Sequence, residues 1–354
     1  KEKKITKTNK ILTSLIKDKS FIKKYPLLNS LTQKFQYSYQ KKDIKQLKNY
    51  SEVNLIGMGG SILGAEAIYD FLKHKVKKKF LFYNNIKFQK IQKTNKKKIN
   101  LVISKSGNTL ETISNFNLLL QKQNRNKNLI LCEKKNNFLT LLAKKLKAEI
   151  FEHKNYIGGR YSVLSETGML PAELMGLNEK KFKRFNNLIK NKYFIKNLIE
   201  NVVLILNHIK KGKTNSVILN YDENSDNLFK WYQQLIAESL GKKGKGILPV
   251  ISTAPKDHHS LLQLYLDGPK DKFFYIFSLN LKNRIKKTKG YFEQTLNNSN
   301  IFKVLDNQKD AMVSLLKSKK IPFISIEIKK KDEETLGELF SYFILETVLI
   351  AETL

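Results

Sequence analysis

Residues 53–64 read Val-Asn-Leu-Ile-Gly-Met-Gly-Gly-Ser-Ile-Leu-Gly, a short apolar strand followed directly by glycines and the start of a helix. Such a turn lets bare backbone approach a ligand and points helix N–H groups at an anion. It is not a dinucleotide fingerprint, because Ile62 stands where a glycine is required and Asn84, not an acidic residue, follows the next apolar run. We therefore expect an anion site here, with an ordinary tight turn as the alternative.

Runs of strand and helix periodicity alternate around this turn. They predict strands at 52–57, 80–83, 100–104 and 128–132, and helices at 61–73, 109–122 and 138–147. After a helical stretch at 178–211, strands are predicted near 217–221, 246–251, 273–279 and 321–328, with helices near 227–239, 259–266, 310–317 and 333–353. This alternation predicts an α/β fold of mainly parallel sheets covered by helices on both faces, with additional helices at the N-terminus.

The same pattern predicts two three-layer α/β/α domains joined by helices. We expect a helical arm over 1–45, a first domain over 46–177, a helical bridge over 178–211, a second domain over 212–340 and the start of a C-terminal helix over 341–354. The sequence has no initiator methionine and stops at Leu354 inside that helix. We therefore expect this helix to be truncated.

The composition is that of a folded, basic protein. Its 354 residues include 66 Lys and Arg against 31 Asp and Glu, for a net charge of +35, and 41% are hydrophobic. Only four of the basic residues are arginines, the side chain that reads phosphates and guanines through a bidentate fork. We therefore expect a solvated lysine surface and no specific nucleic-acid partner, with nucleic-acid binding from charge alone as the alternative.

Cysteine content and apolar patterning exclude further classes. The single cysteine, Cys132, rules out an internal disulfide framework and a cysteine-based zinc cluster. No run reaches the roughly 18 to 20 apolar residues of a membrane span, and the apolar piece at 11–16 is too short for a signal peptide. We expect a cytoplasmic protein that needs no membrane, metal or cofactor.

A second strand end carries hydroxyl and ammonium groups. Residues 103–112 read Ile-Ser-Lys-Ser-Gly-Asn-Thr-Leu-Glu-Thr. The hydroxyls of Ser104, Ser106 and Thr109, the cation of Lys105 and the positive end of a helix are what a phosphomonoester dianion needs. The alternative is an ordinary N-cap with a capping-box glutamate.

Two further segments carry candidate acid–base groups. Residues 157–162 read Ile-Gly-Gly-Arg-Tyr-Ser, in which Arg160 could neutralise a developing oxyanion or form a salt bridge at a domain seam. Residues 234–242 supply Glu238 as a candidate base, and His258 and His259 supply a candidate acid. Taken alone, a glutamate at a helix end and a histidine pair are more often surface groups.

Together the motifs resemble the phosphoglucose isomerase family in its short bacterial form, built from two sugar-isomerase (SIS) domains. The likeness runs from about Val53 to Gly268 and comprises G-x-G-G-S at 57–61, S-K-S-G-N-T-x-E-T at 104–112, G-G-R-Y-S at 158–162, Q-x-x-x-E-S-x-G-K at 234–242 and H-S at 259–260. The resemblance implies reversible conversion of glucose 6-phosphate into fructose 6-phosphate through a cis-enediol(ate), without a cofactor. The alternatives are a non-catalytic sugar-phosphate sensor and a dual phosphoglucose/phosphomannose isomerase.

The resemblance also implies a role for each motif. Glu238 is the implied base, Arg160 stabilises the enediolate, and His259, chosen because serine follows it, assists ring opening. In the family this histidine comes from the neighbouring subunit, which implies a homodimer. The implied phosphate ligands are Ser104, Lys105, Ser106, Thr109 and Gln234, and the sugar lies against Gly60, Ser61 and Gly159.

The sequence departs from the family pattern at two places. The family's closing segment F-D-Q-x-G-V-E-x-x-K, whose lysine also serves ring opening, has no counterpart before Leu354, so that lysine is not assigned. Glu166 stands where a small residue or proline is usual.

Overall fold

The computed structural model describes residues 2–17, 20–47, 49–86, 97–122, 126–280 and 300–354, in which strands form two sheets flanked by helices. The strands are β1 Glu52–Ile56, β2 Lys79–Tyr83, β3 Lys98–Ile103, β4 Lys127–Cys132, β5 Glu149–Glu152, β6 Asn215–Asn220, β7 Leu248–Thr253, β8 Lys272–Leu279 and β9 Phe323–Ile328. The helices are α1 Glu2–Lys17, α2 Ser20–Lys24, α3 Lys41–Lys45, α4 Leu63–Phe71, α5 Leu110–Lys122, α6 Phe138–Leu146, α7 Glu166–Leu174, α8 Phe185–Lys190, α9 Lys192–Lys210, α10 Asp226–Leu240, α11 Leu262–Asp267, α12 Ile301–Ser318 and α13 Glu333–Thr353.

The first sheet brings the two predicted ligand turns together. Its strand order is β2-β1-β3-β4-β5, and every pairing is parallel. The chain moves from β1 to the edge strand β2 and then returns to β3, so the winding reverses between β1 and β3. Ligands of open α/β sheets bind at such a switch point, beyond the carboxyl ends of the strands. Gly57 follows β1 and Ser104 follows β3, which places both turns at this crevice.

The second sheet repeats this winding with four strands, in the order β7-β6-β8-β9, again parallel throughout. The predicted α/β class with parallel sheets and helices on both sides is therefore confirmed. Three elements differ from the prediction. Helix α7, Glu166–Leu174, lies in a stretch for which no helix was predicted. The short edge strand β5 was not predicted, and α12 begins at Ile301 rather than near 310, because the side chain of Asn300 caps it by accepting a hydrogen bond from the Phe302 N–H at 3.2 Å.

One hydrophobic cluster joins the N-terminal helices to both sheets. It includes Leu12 of α1, Leu101 of β3, Tyr275 of β8 and Phe340 of α13. Helix α10, from the second half of the chain, packs against α4 of the first half and against α13. The halves therefore share packing, and the domain limits given above remain predictions. None of the helices in the described part of the chain combines the length and apolarity that a bilayer crossing requires.

A buried carboxyl group lies inside this cluster. Glu346 of α13 is 0% exposed, and its carboxyl oxygens accept hydrogen bonds from Tyr232 at 2.8 Å, Tyr275 at 3.1 Å and Tyr342 at 2.8 Å. Burial raises the pKa of Glu346 to about 7, because the three hydroxyls only partly replace the water that a carboxylate would have. The folded chain therefore holds a proton on Glu346 more tightly than the unfolded chain does.

We expect Glu346→Gln to reduce the pH dependence of stability. Because the pKa of Glu346 is higher in the folded chain than in the unfolded chain, protonation of Glu346 stabilises the folded state. This stabilisation is complete below about pH 4.5 and is lost as pH rises through about 7. Relative to the glutamine variant, the wild-type free energy of unfolding should fall by roughly 2 to 3 kcal/mol between pH 5 and 8, at about 1.4 kcal/mol per pKa unit. Urea unfolding at four pH values measures this difference. Glu200→Gln, on the exposed face of α9, is the control, and a constant difference between wild type and Glu346→Gln would contradict the assignment.

Candidate active site

Two glycine turns from distant parts of the chain touch at the switch point. A Cβ added to Gly60 would lie 2.2 Å from the carbonyl carbon of Gly159, so only glycine allows this approach. Gly59 has φ +51°, and a Cβ there would lie 2.8 Å from the amide nitrogen of Gln234. The Ser162 hydroxyl donates to the Gly159 carbonyl at 2.7 Å. The close approach of Gly60 to Gly159 and the hydrogen bond from Ser162 fix the start of the 3₁₀ segment Gly159–Leu164, which carries Arg160.

Arg160 and Glu238 form an ion pair between the two halves of the chain. The Arg160 Nη1 donates to Glu238 Oε2 at 3.2 Å, and the Gln234 amide, one turn earlier on α10, donates to Glu238 Oε1 at 2.7 Å. The Glu238 side chain is 49% exposed and that of Arg160 is 24% exposed. Both carboxylate oxygens are thus oriented while one side of the pair stays open to a ligand.

Two neighbouring residues that were assigned no role in the sequence analysis complete this group. The Ser239 hydroxyl accepts a hydrogen bond from Arg160 Nε at 2.8 Å and shares another with the Tyr161 hydroxyl at 2.7 Å. The Arg160 guanidinium also lies over the Tyr161 ring, 4.9 Å from its centroid. Tyr161 and Ser239 both lie inside the motifs quoted above. Their positions directly after Arg160 and Glu238 are the feature of the sequence that could have identified them.

The loop after β3 gathers hydroxyls at the same end of the sheet. Ser104 is buried, and its hydroxyl lies 2.9 Å from that of Thr109 and accepts the Gly107 N–H at 3.2 Å. Gly107 has φ +70°, which an L side chain rarely adopts. The exposed Ser106 accepts the Asn108 N–H at 3.2 Å. The loop is therefore preformed, with its hydroxyls next to the first turn of α5.

Lys105 is held on one side of this loop. Its ammonium group donates to the Asn155 carbonyl at 2.8 Å and lies 3.7 Å from Glu133. The ammonium of Lys135, with that of Lys105 further away, holds the pKa of Glu133 below its ordinary value. Lys105 therefore has partners within the chain, and its role as a phosphate ligand remains a prediction.

The two histidines after β7 differ in their surroundings. The His258 Nε2 lies 2.9 Å from the Tyr221 hydroxyl, and burial, helped by the neighbouring His259, lowers the pKa of His258. His259 is exposed, and its side chain makes no hydrogen bond or ion pair with the described residues. Asp257 holds this loop by accepting the Thr253 N–H at 2.9 Å. His258 is thus held within the chain, whereas the His259 side chain is exposed.

Glu166 serves the packing of the N-terminal arm. It is buried at the start of α7, and its carboxylate accepts the Ser38 N–H at 3.0 Å. Burial raises its pKa. This departure from the family pattern therefore ties residues before β1 to the fold. Within the described residues, no three His, Cys, Asp or Glu side chains are grouped as ligands for a metal ion.

Comparison with known proteins shows the family to which the chain belongs. The sequence model described as phosphoglucose isomerase matches residues 23–252. The chain belongs to the phosphoglucose isomerase family. This family member is 32% identical over 332 residues to the glucose-6-phosphate isomerase of Methanocaldococcus jannaschii, covering 87% of this chain and 80% of that protein. It is 30% identical to the corresponding protein of Campylobacter jejuni, covering 90% of this chain and 82% of the relative.

Solved structures share the fold of this phosphoglucose isomerase family member. A hypothetical protein from Thermus thermophilus matches with a TM-score of 0.79 at 19% identity, covering 99% of this chain and 89% of that one. A glucose-6-phosphate isomerase from Chlamydia trachomatis matches with a TM-score of 0.73 at 16% identity, covering 96% of this chain and 80% of that one. At these identities the likeness shows the fold alone.

Proposed function

We infer that the protein is a glucose-6-phosphate isomerase, an aldose–ketose isomerase of glycolysis and gluconeogenesis. Family membership and the relatives named for this activity support the assignment. The structural observation that supports this activity in this chain is the Arg160–Glu238 pair. Its guanidinium and carboxylate lie 3.2 Å apart and are partly open to a ligand. A base beside a fixed cation is what proton transfer through an enediolate requires.

The proposed reaction moves one proton between adjacent carbons. After ring opening, Glu238 removes the proton from C2 of the aldose, the C1–C2 double bond forms, and O1 takes up a proton. Arg160 stabilises the negative charge on the enediolate oxygens. Glu238 then returns the proton to C1 while O2 loses its proton, which gives the ketose. No electron leaves the substrate, so the step requires no redox cofactor.

Substrate binding is assigned to the preformed turns. The hydroxyls of Ser104, Ser106 and Thr109, with Lys105, are proposed to bind the 6-phosphate beside the first turn of α5, where anions are favoured. Gln234 orients Glu238 from the same helix, at 2.7 Å. The backbone at Gly60, Ser61 and Gly159 is proposed to face the sugar. Phosphate binding energy then fixes the reacting carbons against the base.

His259 is proposed to act on a second copy of the chain. It is exposed and lacks a hydrogen-bonding partner among the described residues, while its neighbour His258 is held by Tyr221. In a two-fold symmetric dimer each copy would supply one His259 to the other copy's Glu238. The cytoplasm is the proposed compartment.

A direct assay tests the proposed function. Purified protein is supplied with glucose 6-phosphate deuterated at C2, and fructose 6-phosphate formation and the fate of the label are measured. We expect ketose formation, with the label partly lost to solvent and partly at C1. Bound sugar phosphate without turnover would favour the sensor, and comparable turnover of mannose 6-phosphate would favour the dual isomerase.

Mixing two inactive variants tests the contribution of His259. Glu238→Gln and His259→Asn subunits, each inactive alone, are co-expressed. If His259 serves the partner's site, random pairing makes half of the dimers mixed, each with one intact site, so about a quarter of wild-type activity should return. If His259 serves its own chain, no mixed dimer contains an intact site. Activity that stays at the level of the separate variants would therefore contradict the proposal.

A further inference from the structure

Ser239 and Tyr161 lie directly behind the charged pair. Ser239 is 7% exposed and Tyr161 is 8% exposed, whereas the adjacent Glu238 and Arg160 are partly open. The chain therefore places a buried hydroxyl next to each charged residue, one on α10 and one on the 3₁₀ segment Gly159–Leu164. These two hydroxyls bond to each other at 2.7 Å.

The hydrogen bonds to Arg160 determine which of its N–H groups remain available. The guanidinium is a rigid plane with five N–H donors. Its Nε is directed at Ser239 at 2.8 Å and its Nη1 at Glu238 at 3.2 Å. Within the described part of the chain, Nη2 has no hydrogen-bonding partner. Because two edges of the plane are fixed, the direction of the remaining N–H groups is fixed as well.

Tyr161 restricts the rotation of the Ser239 hydroxyl, and its ring packs against the Arg160 guanidinium. A serine hydroxyl has one proton and two lone pairs, and it rotates freely unless it is held. Whichever hydroxyl of the 2.7 Å pair donates, Ser239 keeps a lone pair for the Arg160 Nε–H. The aromatic ring of Tyr161 also packs against the guanidinium, at 4.9 Å from the ring centroid.

We propose that Ser239 and Tyr161 form a positioning pair that holds the Arg160 guanidinium beside Glu238, so that its remaining N–H groups face the substrate oxygens as the enediolate forms. The inference rests on the proposed function. Neither hydroxyl touches the reacting atoms, and both act through Arg160. Because the alignment matters most when charge develops, their loss should lower kcat and leave KM nearly unchanged.

Steady-state kinetics of Tyr161→Phe, Ser239→Ala and the double variant test the pair. Tyr161→Phe keeps the ring and removes only the hydroxyl, and we expect about a fivefold loss in kcat. Ser239→Ala removes the acceptor of a charged donor, and we expect a loss of about 10- to 100-fold. The double variant should match Ser239→Ala, because Tyr161 acts through Ser239. KM for glucose 6-phosphate should stay within about twofold.

A second double-mutant cycle, of Ser239→Ala with Arg160→Lys, separates a loss of Arg160 positioning from a general loss of structure. In Arg160→Lys the Nε donor is absent, so adding Ser239→Ala should lower kcat by less than about twofold. Ser341→Ala, a buried serine whose hydroxyl has no hydrogen-bonding partner among the described residues, is the matched control and should leave kcat unchanged.

Several outcomes would overturn the positioning pair. These are additive losses in the double variant, a loss confined to KM, or an undiminished effect of Ser239→Ala in the Arg160→Lys background. If Ser239→Ala does not fold, a kcat unchanged in Tyr161→Phe would overturn it by itself. Absence of turnover in the wild type would instead contradict the proposed function, so the two failures are distinguishable.

Discussion

Changing Glu238 to glutamine should lower kcat for isomerisation by about 10²- to 10⁴-fold while KM for glucose 6-phosphate changes little. The amide has the shape of the carboxylate, and its oxygen still accepts a hydrogen bond from Arg160 or Gln234. It cannot take the proton from C2. The loss should therefore fall on the chemical step and not on binding. Rate measurements in both directions, with exchange of the C2 hydrogen into solvent, measure it.

Glu338→Gln is the matched control for this variant. Glu338 also pairs with an arginine, because Arg184 Nε lies 3.3 Å from its Oε1, and it stands outside the five motifs. We expect that variant to retain wild-type kcat. If Glu238→Gln kept kcat within about threefold of the wild type, Glu238 would not be the base. A rise in KM with unchanged kcat would assign it to binding instead.

Gly60→Ala is expected to damage the site severely, although it adds only one methyl group. The new Cβ would meet backbone atoms of Gly159 at 2.2 and 2.4 Å and the Arg160 nitrogen at 2.6 Å, none of which can rotate away. The two turns would have to separate. We expect a loss of about 3 kcal/mol in the free energy of unfolding. Displacing Arg160 by about 1 Å should also lower kcat about 100-fold.

Gly159→Ala on the other side of the same contact is the control for stability. A Cβ at Gly159 has one neighbour within 4 Å, the Gly60 Cα at 3.9 Å, which is ordinary contact. Its free energy of unfolding should stay within about 1 kcal/mol of the wild type. Urea unfolding of both variants compares them. Equal losses in the two variants would mean that the close approach of the turns does not govern their packing.

The sequence was sufficient to predict the parallel α/β fold because its signals are local. Apolar runs such as 129–132 are bounded by polar residues, and most of them are followed by a helix-like segment. β5 lacked such a signal, since it is an edge strand of four residues with glutamate at both ends. The start of α12 depended on one capping asparagine, Asn300, where apolar periodicity was weak.

The site was predictable as a set of residue types but not as an arrangement. Arg160 and Glu238 are 78 residues apart in sequence, and their contact depends on how α10 packs against the first half of the chain. No local pattern encodes that packing. The same holds for Ser239 and Tyr161, whose hydroxyls meet only because both segments are anchored elsewhere. The choice of His259 over His258 rested on the serine that follows and stays a prediction, while the structure places His258 Nε2 2.9 Å from the Tyr221 hydroxyl.

Helix α10 carries both Tyr232, bonded to the buried Glu346, and Glu238, less than two turns further along. Proteins open locally through their weakly packed segments, such as loops and fraying ends. Glu238, the proposed base, is instead on a helix whose preceding turns are embedded in the shared core. Glu238 and Arg160 are already in contact in this structure, so no closing movement is needed to bring the two side chains together. The backbone framework that places the two charged residues side by side should therefore last as long as the shared core stays folded.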